Sequence, residues 1–390
     1  MPRIPLPHPL TDRPFSVAEG STSGVGAGRL RGADLAAPHR GVRVASGGEA
    51  LATARAGGTS STSVPGTVRG RAEALRPVMV DGWRFSHVTA LALWGLPVPS
   101  RVDIGAEPLH VSTPVGRGPR RSGVVGHRIS PSGPPADAPE LASAPKPKPK
   151  PKPEPEPEPA SPSASAPTPS PAVALGSVPS LASISAAPVS APLVEPWPPG
   201  SHRVSGIVVL EGLPVEDPLT AWVRSGALLT LDELIRVGDA LAGSWSPHGV
   251  ARGRPLGELA DAISEAGAVR GIASVREAMA SVRSGVESPR ETDMRLLLTR
   301  AGLPEPEINR RTYDTRGRYL GKPDLRFRWC KVAVEYEGDE HRRDRRRFRS
   351  DILRRERFAD AGWRTVRCTG DDLYGRRALE FVARVERCLS

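Results

Sequence analysis

The stretch Gly321-Lys-Pro-Asp-Leu-Arg-Phe-Arg-Trp-Cys-Lys-Val-Ala-Val-Glu-Tyr-Glu-Gly-Asp-Glu-His341 carries a Pro-Asp pair and, after ten further residues, a Glu-x-Glu inside an apolar, β-branched run. A carboxylate set into a strand is costly unless it is paired or binds a cation. With a turn centred between Trp329 and Cys330, Asp324 falls across from Glu335, and directly opposed residues share a sheet face. Alternation puts Leu325, Phe327 and Trp329 on one face of the first strand. In the second, Val332, Val334 and Tyr336 take one face, and Ala333, Glu335 and Glu337 the other. Asp324, Glu335 and Glu337 are therefore expected to converge as oxygen ligands of a hard cation, with Gly338 letting the chain leave sharply.

Working outward, Ser288-Pro-Arg-Glu291 reads as a capping box with proline in the first turn. It opens a helix whose apolar stripe is Met294, Leu297, Leu298 and Ala301, and Gly302 ends it. Glu291 lies on the side of Met294 and Leu298, so it faces inward, where capping and a site role are compatible. Beyond the second strand, His341 precedes an arginine-rich helix over residues 344–361. Phe348, Ile352, Arg355 and Ala359 mark its packed side. Arg343, Arg345, Arg346, Arg347, Arg349 and Arg354 are left to meet phosphates. Residues 363–369 supply one more strand.

The rest of the chain sets limits. Its 390 residues carry a net charge of +11, which suits polyanionic partners, and with aromatics at 4% beside 43 prolines and 40 glycines, part of it cannot pack a core. That part is 131–202, rich in Pro, Ala and Ser, with Lys-Pro alternation from Pro145 passing into Glu-Pro up to Pro159. Proline at every second position excludes helix and ladder and favours extended polyproline II. This spacer is expected to be inserted into a discontinuous middle domain, 70–130 with 203–285. Strands are expected at 109–113, 124–128 and 206–210, then helices near 217–225, 231–241, 256–266 and 275–282. Cys330, Cys368 and Cys388 are odd in number and form no C-x-x-C, so neither a disulfide framework nor a zinc cluster is indicated. His87, His127 and His202 show no ligand spacing and are assigned no site. The first ten residues lack the apolar segment of a signal peptide, and no apolar run approaches the roughly 20 residues of a membrane span. A cytoplasmic location is the expectation.

Acidic helix, Pro-Asp strand, Glu-x-Glu strand, helix, strand: this order resembles the PD-(D/E)XK nuclease superfamily. The run Asp351-Ile-Leu-Arg-Arg-Glu-Arg-Phe-Ala-Asp-Ala-Gly-Trp-Arg-Thr-Val366 is similar to that of an uncharacterised domain family related to very-short-patch-repair endonucleases. The likeness covers residues 286–390. It implies metal-dependent hydrolysis of nucleic-acid phosphodiester bonds, with DNA foremost. Asp324, Glu335 and Glu337 would be ligands of Mg²⁺ or Mn²⁺, and Glu291, Asp324, Glu335, Glu337, His341 and Arg355 the catalytic set. Glu337 stands where many relatives carry lysine, and a carboxylate cannot stabilise an oxyanion, so Arg355 or His341 would supply that charge.

Upstream, Phe85-Ser-His-Val-Thr-Ala-Leu-Ala-Leu-Trp-Gly-Leu-Pro97 resembles a segment that accompanies this nuclease-like domain in other proteins. A short helix at 15–19, a second over 28–36 with Leu30 and Leu35 inward, and a basic strand at 39–44 resemble the winged helix of AbiEi-type (type IV) antitoxins. Gly24, Gly26, Gly28 and Gly32 make residues 1–69 a degenerate copy. The expected fold is thus α/β: a C-terminal restriction-endonuclease-like domain with a mixed sheet flanked by helices, an α+β middle domain, and a small N-terminal winged-helix-like module. The alternative function is a non-catalytic DNA-binding regulator related to type IV antitoxins. A scaffold built around the proline-rich spacer is a third possibility.

Overall fold

Two mixed sheets, one of seven strands and one of four, organise the chain. The computed structural model describes residues 4–45, 67–103, 107–115, 118–129, 203–204, 207–338 and 345–390. The spacer at 131–202, His341, Arg343, and the side chains of Arg345, Arg346, Arg347 and Arg349 lie outside the described residues. The described residues belong to one unit drawn from Met1–Gly133 and Glu195–Ser390; a second unit, Pro134–Val194, lies outside them. Their helices and mixed sheets make an α/β protein, without a closed barrel among the described residues.

At the N-terminus, β1 (Phe15–Ser16), α1 (Val17–Thr22), β2 (Leu35–Ala36) and β3 (Val42–Ala45) form a small sheet of order β1-β3-β2. The Ser16 hydroxyl caps α1 by accepting from the Glu19 N–H. Leu6, Leu10, Phe15, Val25, Leu30 and Leu35 pack together beneath. The helix expected over 28–36 is not formed. Arg29–Arg31 is a single 3₁₀ turn, and Leu35 enters a strand. Glycine costs about 1 kcal/mol in a helix relative to alanine, and Gly28 and Gly32 bracket this turn. Leu30 and Leu35 still point inward.

The middle region runs α2 (Val68–Leu75), β4 (Arg84–Phe85), α3 (His87–Leu93), α4 (Ser100–Asp103), β5 (Leu109–Thr113), β6 (Arg120–Arg121) and β7 (Val124–Arg128). It resumes with β8 (Arg203–Val204), β9 (Ile207–Leu210), β10 (Leu213–Glu216), α5 (Pro218–Arg224), α6 (Leu231–Ala242), α7 (Leu256–Glu265) and α8 (Ile272–Ser281). The strand order is β6-β7-β5-β4-β10-β9-β8. The β9–β10 hairpin turns on Glu211 and Gly212, both at positive φ, the conformation that matches strand twist in a two-residue loop. Asp217 caps α5 ahead of Pro218, and Thr230 with Glu233 forms a capping box on α6. Trp94, Leu109, Val111, Val215 and Trp222 lie at the core of this region. Each such fully buried apolar side chain contributes about 1.5–3 kcal/mol.

The C-terminal region comprises α9 (Pro289–Arg300), β11 (Glu307–Ile308), β12 (Thr312–Tyr313), β13 (Tyr319–Gly321), β14 (Leu325–Phe327), β15 (Val332–Tyr336), α10 (Arg345–Asp360), β16 (Arg364–Cys368) and α11 (Gly375–Leu389). Its sheet order is β11-β14-β15-β16, with β15 and β16 parallel on either side of the α10 crossover. Leu303 and Gly302 return N–H bonds to the Leu298 and Thr299 carbonyls and close α9 in a Schellman turn. Leu325 pairs with Val334, and Phe327 with Val332, in the register expected from their alternation. Those four side chains, with Val366 and Cys368, meet Met294 and Leu298 of α9 and Phe381 and Val385 of α11. Ala333 faces the other way, with Leu320, Phe358 and Trp363. Trp329 is a correction: it lies beyond β14 in the turn and is 59% exposed. Helix α9 belongs to both cores, since Leu296 packs with the middle region. No helix among the described residues is long and apolar enough to cross a membrane.

Candidate active site

One step past the Leu325–Val334 pair, the antiparallel register sets position 324 across from position 335. Asp324 is half-buried, and its Oδ2 accepts from the Tyr336 N–H at 2.7 Å. Its carbonyl accepts from the Asn309 N–H at 2.9 Å. The aspartate is thus held by β15 through its side chain and by the segment after β11 through its main chain. Glu335 is met from α10: its Oε2 lies 2.8 Å from Nη2 of Arg354. Arg354 and Phe358 are one helical turn apart and share the packed face. Gly321 allows that helix its close approach, because a Cβ there would sit 2.9 Å from the Phe358 ring and 3.2 Å from Arg354 Cδ.

Glu291 is buried at the start of α9. Its carboxylate accepts from the Glu287 N–H at 2.8 Å, from the Ser288 hydroxyl at 2.9 Å and from the Asn309 side-chain amide. Capping is present, since Ser288 Oγ accepts the Glu291 N–H, but the reach-back bond goes to Glu287. Burial pushes the Glu291 carboxyl up to about 7; the negative charge of Asp324 acts in the same direction, and the hydrogen bonds act against both. Burial also raises Asp324 above the usual carboxylate range, countered by the Tyr336 N–H and the charge of Arg354. Lys322 pairs with Glu287 at 2.5 Å. Glu287, Glu291, Asp324 and Glu335 are thereby interlaced with Lys322, Arg354 and Asn309.

Glu337 does not join them. Its Oε1 lies 3.1 Å from Arg355 Nη2 and 3.0 Å from Arg367 Nε. The β15 ladder ends at Tyr336, and the Glu337 N–H turns to the Cys368 carbonyl at 2.7 Å. Asp324, Glu335 and Glu337 therefore do not form a group of ligand oxygens within 4.8 Å of one another. Arg355 is the partner of Glu337. Arg354 turns toward the sheet instead of outward to phosphates, so the packed stripe of α10 runs through Arg354 and Phe358. Ala359, expected inside, is exposed.

Among the described residues, one His/Cys/Asp/Glu group has ligand atoms all within 4.8 Å of one another: His87, His110 and His127. Local spacing gives no sign of it, because the three come from different elements brought together by strand pairing. The signal that was present is His110 set between Leu109 and Val111 in a strand buried along its whole length.

The chain is 28% identical over 132 residues to uncharacterised protein Rv2248 of Mycobacterium tuberculosis strain H37Rv, and likewise to uncharacterised protein MT2308 of strain CDC 1551 (Oshkosh). The match takes in 34% of this chain and 48% of each relative, so the chain spans about half the length of the curated relatives it matches. No family model matches the chain, and no solved structure matches it.

Proposed function

We propose that the C-terminal region, residues 286–390, hydrolyses nucleic-acid phosphodiester bonds, DNA foremost, with Mg²⁺ or Mn²⁺, and that it acts in the cytoplasm. One observation carries this reading: Asp324 lies across from Glu335 beside Glu291, and burial and mutual charge drive the protonation of Glu291 upward. Such a group is relieved by a hard cation. Asp324 and Glu335, opposed in register, are the residues that would hold it, with Glu291 near Asp324, although no three of these carboxylates have ligand oxygens within 4.8 Å of one another. Glu337, engaged by two arginines, is left out. When bound, the cation supplies Lewis acidity and neutralises charge on the phosphate.

The remaining roles belong to the chain itself. The Tyr336 N–H fixes the Asp324 carboxylate. Glu291, poised near neutral pH, can take up or release a proton where water is activated. Lys322 and Arg354 offer positive charge to a phosphate oxygen. Incubation of plasmid and single-stranded DNA with Mg²⁺ or Mn²⁺, beside Asp324→Ala, tests the reading. Cleavage that requires metal and is absent in the variant supports it; equal cleavage by both proteins would sink it.

A second reading is favoured by the arginines: Glu335 pairs with Arg354, and Glu337 with Arg355 and Arg367. Carboxylates already neutralised suit a non-catalytic DNA-binding regulator. Such a protein would bind DNA equally in EDTA and in Mg²⁺ and cleave in neither.

A further inference from the structure

We propose that His87, His110 and His127 form a second metal site, one that takes Zn²⁺ or a similar late first-row divalent cation and leaves a coordination position open to an adjoining anion-binding cavity. The parallel pairing of β5 with β7 sets Ser112 opposite His127, so His110 and His127 share a sheet face. His110 Nδ1 lies 2.8 Å from His127 Nε2. The His87 ring stacks on that of His127 at 3.9 Å between centroids. Its Nδ1 lies 2.9 Å from the Ser86 hydroxyl, and one nitrogen from each of the three rings lies within 4.8 Å of the other two.

The approach of His87 is built at a cost. It follows β4 with a φ of 52°, in the left-handed region that a non-glycine residue seldom adopts. Strain of this kind amounts to about 1–3 kcal/mol and persists where surrounding contacts over-determine it. Those contacts are present: the Ser86 N–H donates to the His110 carbonyl at 3.0 Å, and the His87 N–H donates to the buried Glu216 carboxylate. The His110 N–H in turn donates to the Thr89 hydroxyl at 2.8 Å.

Three imidazole nitrogens are a donor set for zinc, cobalt, nickel or copper rather than for magnesium. Zinc–nitrogen bonds of about 2.0–2.1 Å in a tetrahedron set the nitrogens about 3.3 Å apart. The His110–His127 pair therefore has to open only slightly. Arg224 approaches the site and keeps part of its positive charge there, because the buried Glu216 is shared between Arg224 and Arg84.

A cavity of about 570 Å³ opens at the triad, lined by His87 and His127 and by Arg128, Arg224, Arg270 and Glu265. A three-histidine site beside open space matches zinc centres that keep one position for water or ligand, not closed structural ones. The arginines specify an anion as that ligand. This triad lies in the middle region and shares no residue with the carboxylate group of the C-terminal region.

The test uses the full chain, stripped of metal by a chelator that is then removed, and titrated with Co²⁺. An intense visible absorption of four- or five-coordinate cobalt that saturates at one equivalent of Co²⁺ per chain and is displaced by Zn²⁺ is expected. His110→Gln and His127→Gln should lose that band with an unchanged circular dichroism spectrum, while Asp324→Ala keeps it. The half-buried His127 provides the readable variant if His110→Gln fails to fold. Inorganic phosphate should shift the cobalt band. Absence of stoichiometric binding, or equal binding by wild type and His127→Gln, would overturn the site; a band unmoved by phosphate would overturn the open position.

Discussion

Arg354 and Glu335 are joined by an ion pair of 2.8 Å, and the arginine's Nε is buried beside it without a hydrogen-bond partner. Helix and strand therefore neutralise each other where a cation and a phosphate would each claim one member of the pair. Arg354→Gln should tighten Mg²⁺ binding several-fold and weaken DNA binding in the same protein. Calorimetry with Mg²⁺ and fluorescence anisotropy with labelled DNA measure the two; a parallel loss of both would make Arg354 only a packing residue.

Glu291 gives a pH dependence of defined sign. Its carboxyl is held near 7 in the fold against 4.5 when unperturbed, so between those values the native state keeps a proton that the unfolded chain has released. Stability from this group is full below about pH 4.5 and declines as pH rises through 7, by about 3 kcal/mol at most. Buried neutral histidines act in the opposite direction, so the relevant quantity is wild type minus Glu291→Gln. Melting in EDTA from pH 5 to 8 should show that difference falling with pH.

Asp239 and Arg295 form a pair with 0% and 1% side-chain exposure and a 2.8 Å contact. Asp239 also accepts from the Arg283 N–H and the Thr292 hydroxyl. Asp239→Ala removes the buried partner of the guanidinium and leaves it only the half-exposed Glu305 at 3.3 Å and the Ser281 carbonyl, so it should cost about 3 kcal/mol in urea unfolding. Asp239→Leu combined with Arg295→Met should cost much less than the sum of the single changes.

Gly321→Ala forces a methyl against Phe358 and Arg354. The expected loss is about 1–3 kcal/mol, together with tighter Mg²⁺ binding, because Arg354 and Glu335 move apart. A variant with wild-type melting and wild-type Mg²⁺ affinity would show that α10 has slack.

Deletion of residues 131–202, with a short glycine-serine bridge, should leave melting and DNA binding essentially unchanged. Proline-rich sequence cannot bury enough apolar surface to offset its ordering. A fall of several degrees in Tm would make this segment a packing element.

The hairpin was legible because period-two alternation is local: Leu325, Phe327, Val332 and Val334 fix the register, and the register sets Asp324 across from Glu335. Ser288 likewise announced α9 by a cap that sequence can display. The fate of Glu337 was not legible. Only the third dimension brings Arg355 and Arg367 to it, and that capture removes it from the carboxylate group. The stripe of α10 was misread by one position, because arginine stems pack as readily as apolar side chains and blur the pattern. The histidine triad was invisible for a related reason: His87 opens a helix, while His110 and His127 lie in separate strands.

The double membership of α9 has a practical consequence. Leu296 leans on the middle core while Met294 and Leu298 lean on the C-terminal one. The chain should therefore lose both cores in a single cooperative transition. Any expression clone begun at residue 286 would give its first helix a greasy, unpaired flank, and insolubility of such a fragment would say nothing about its chemistry.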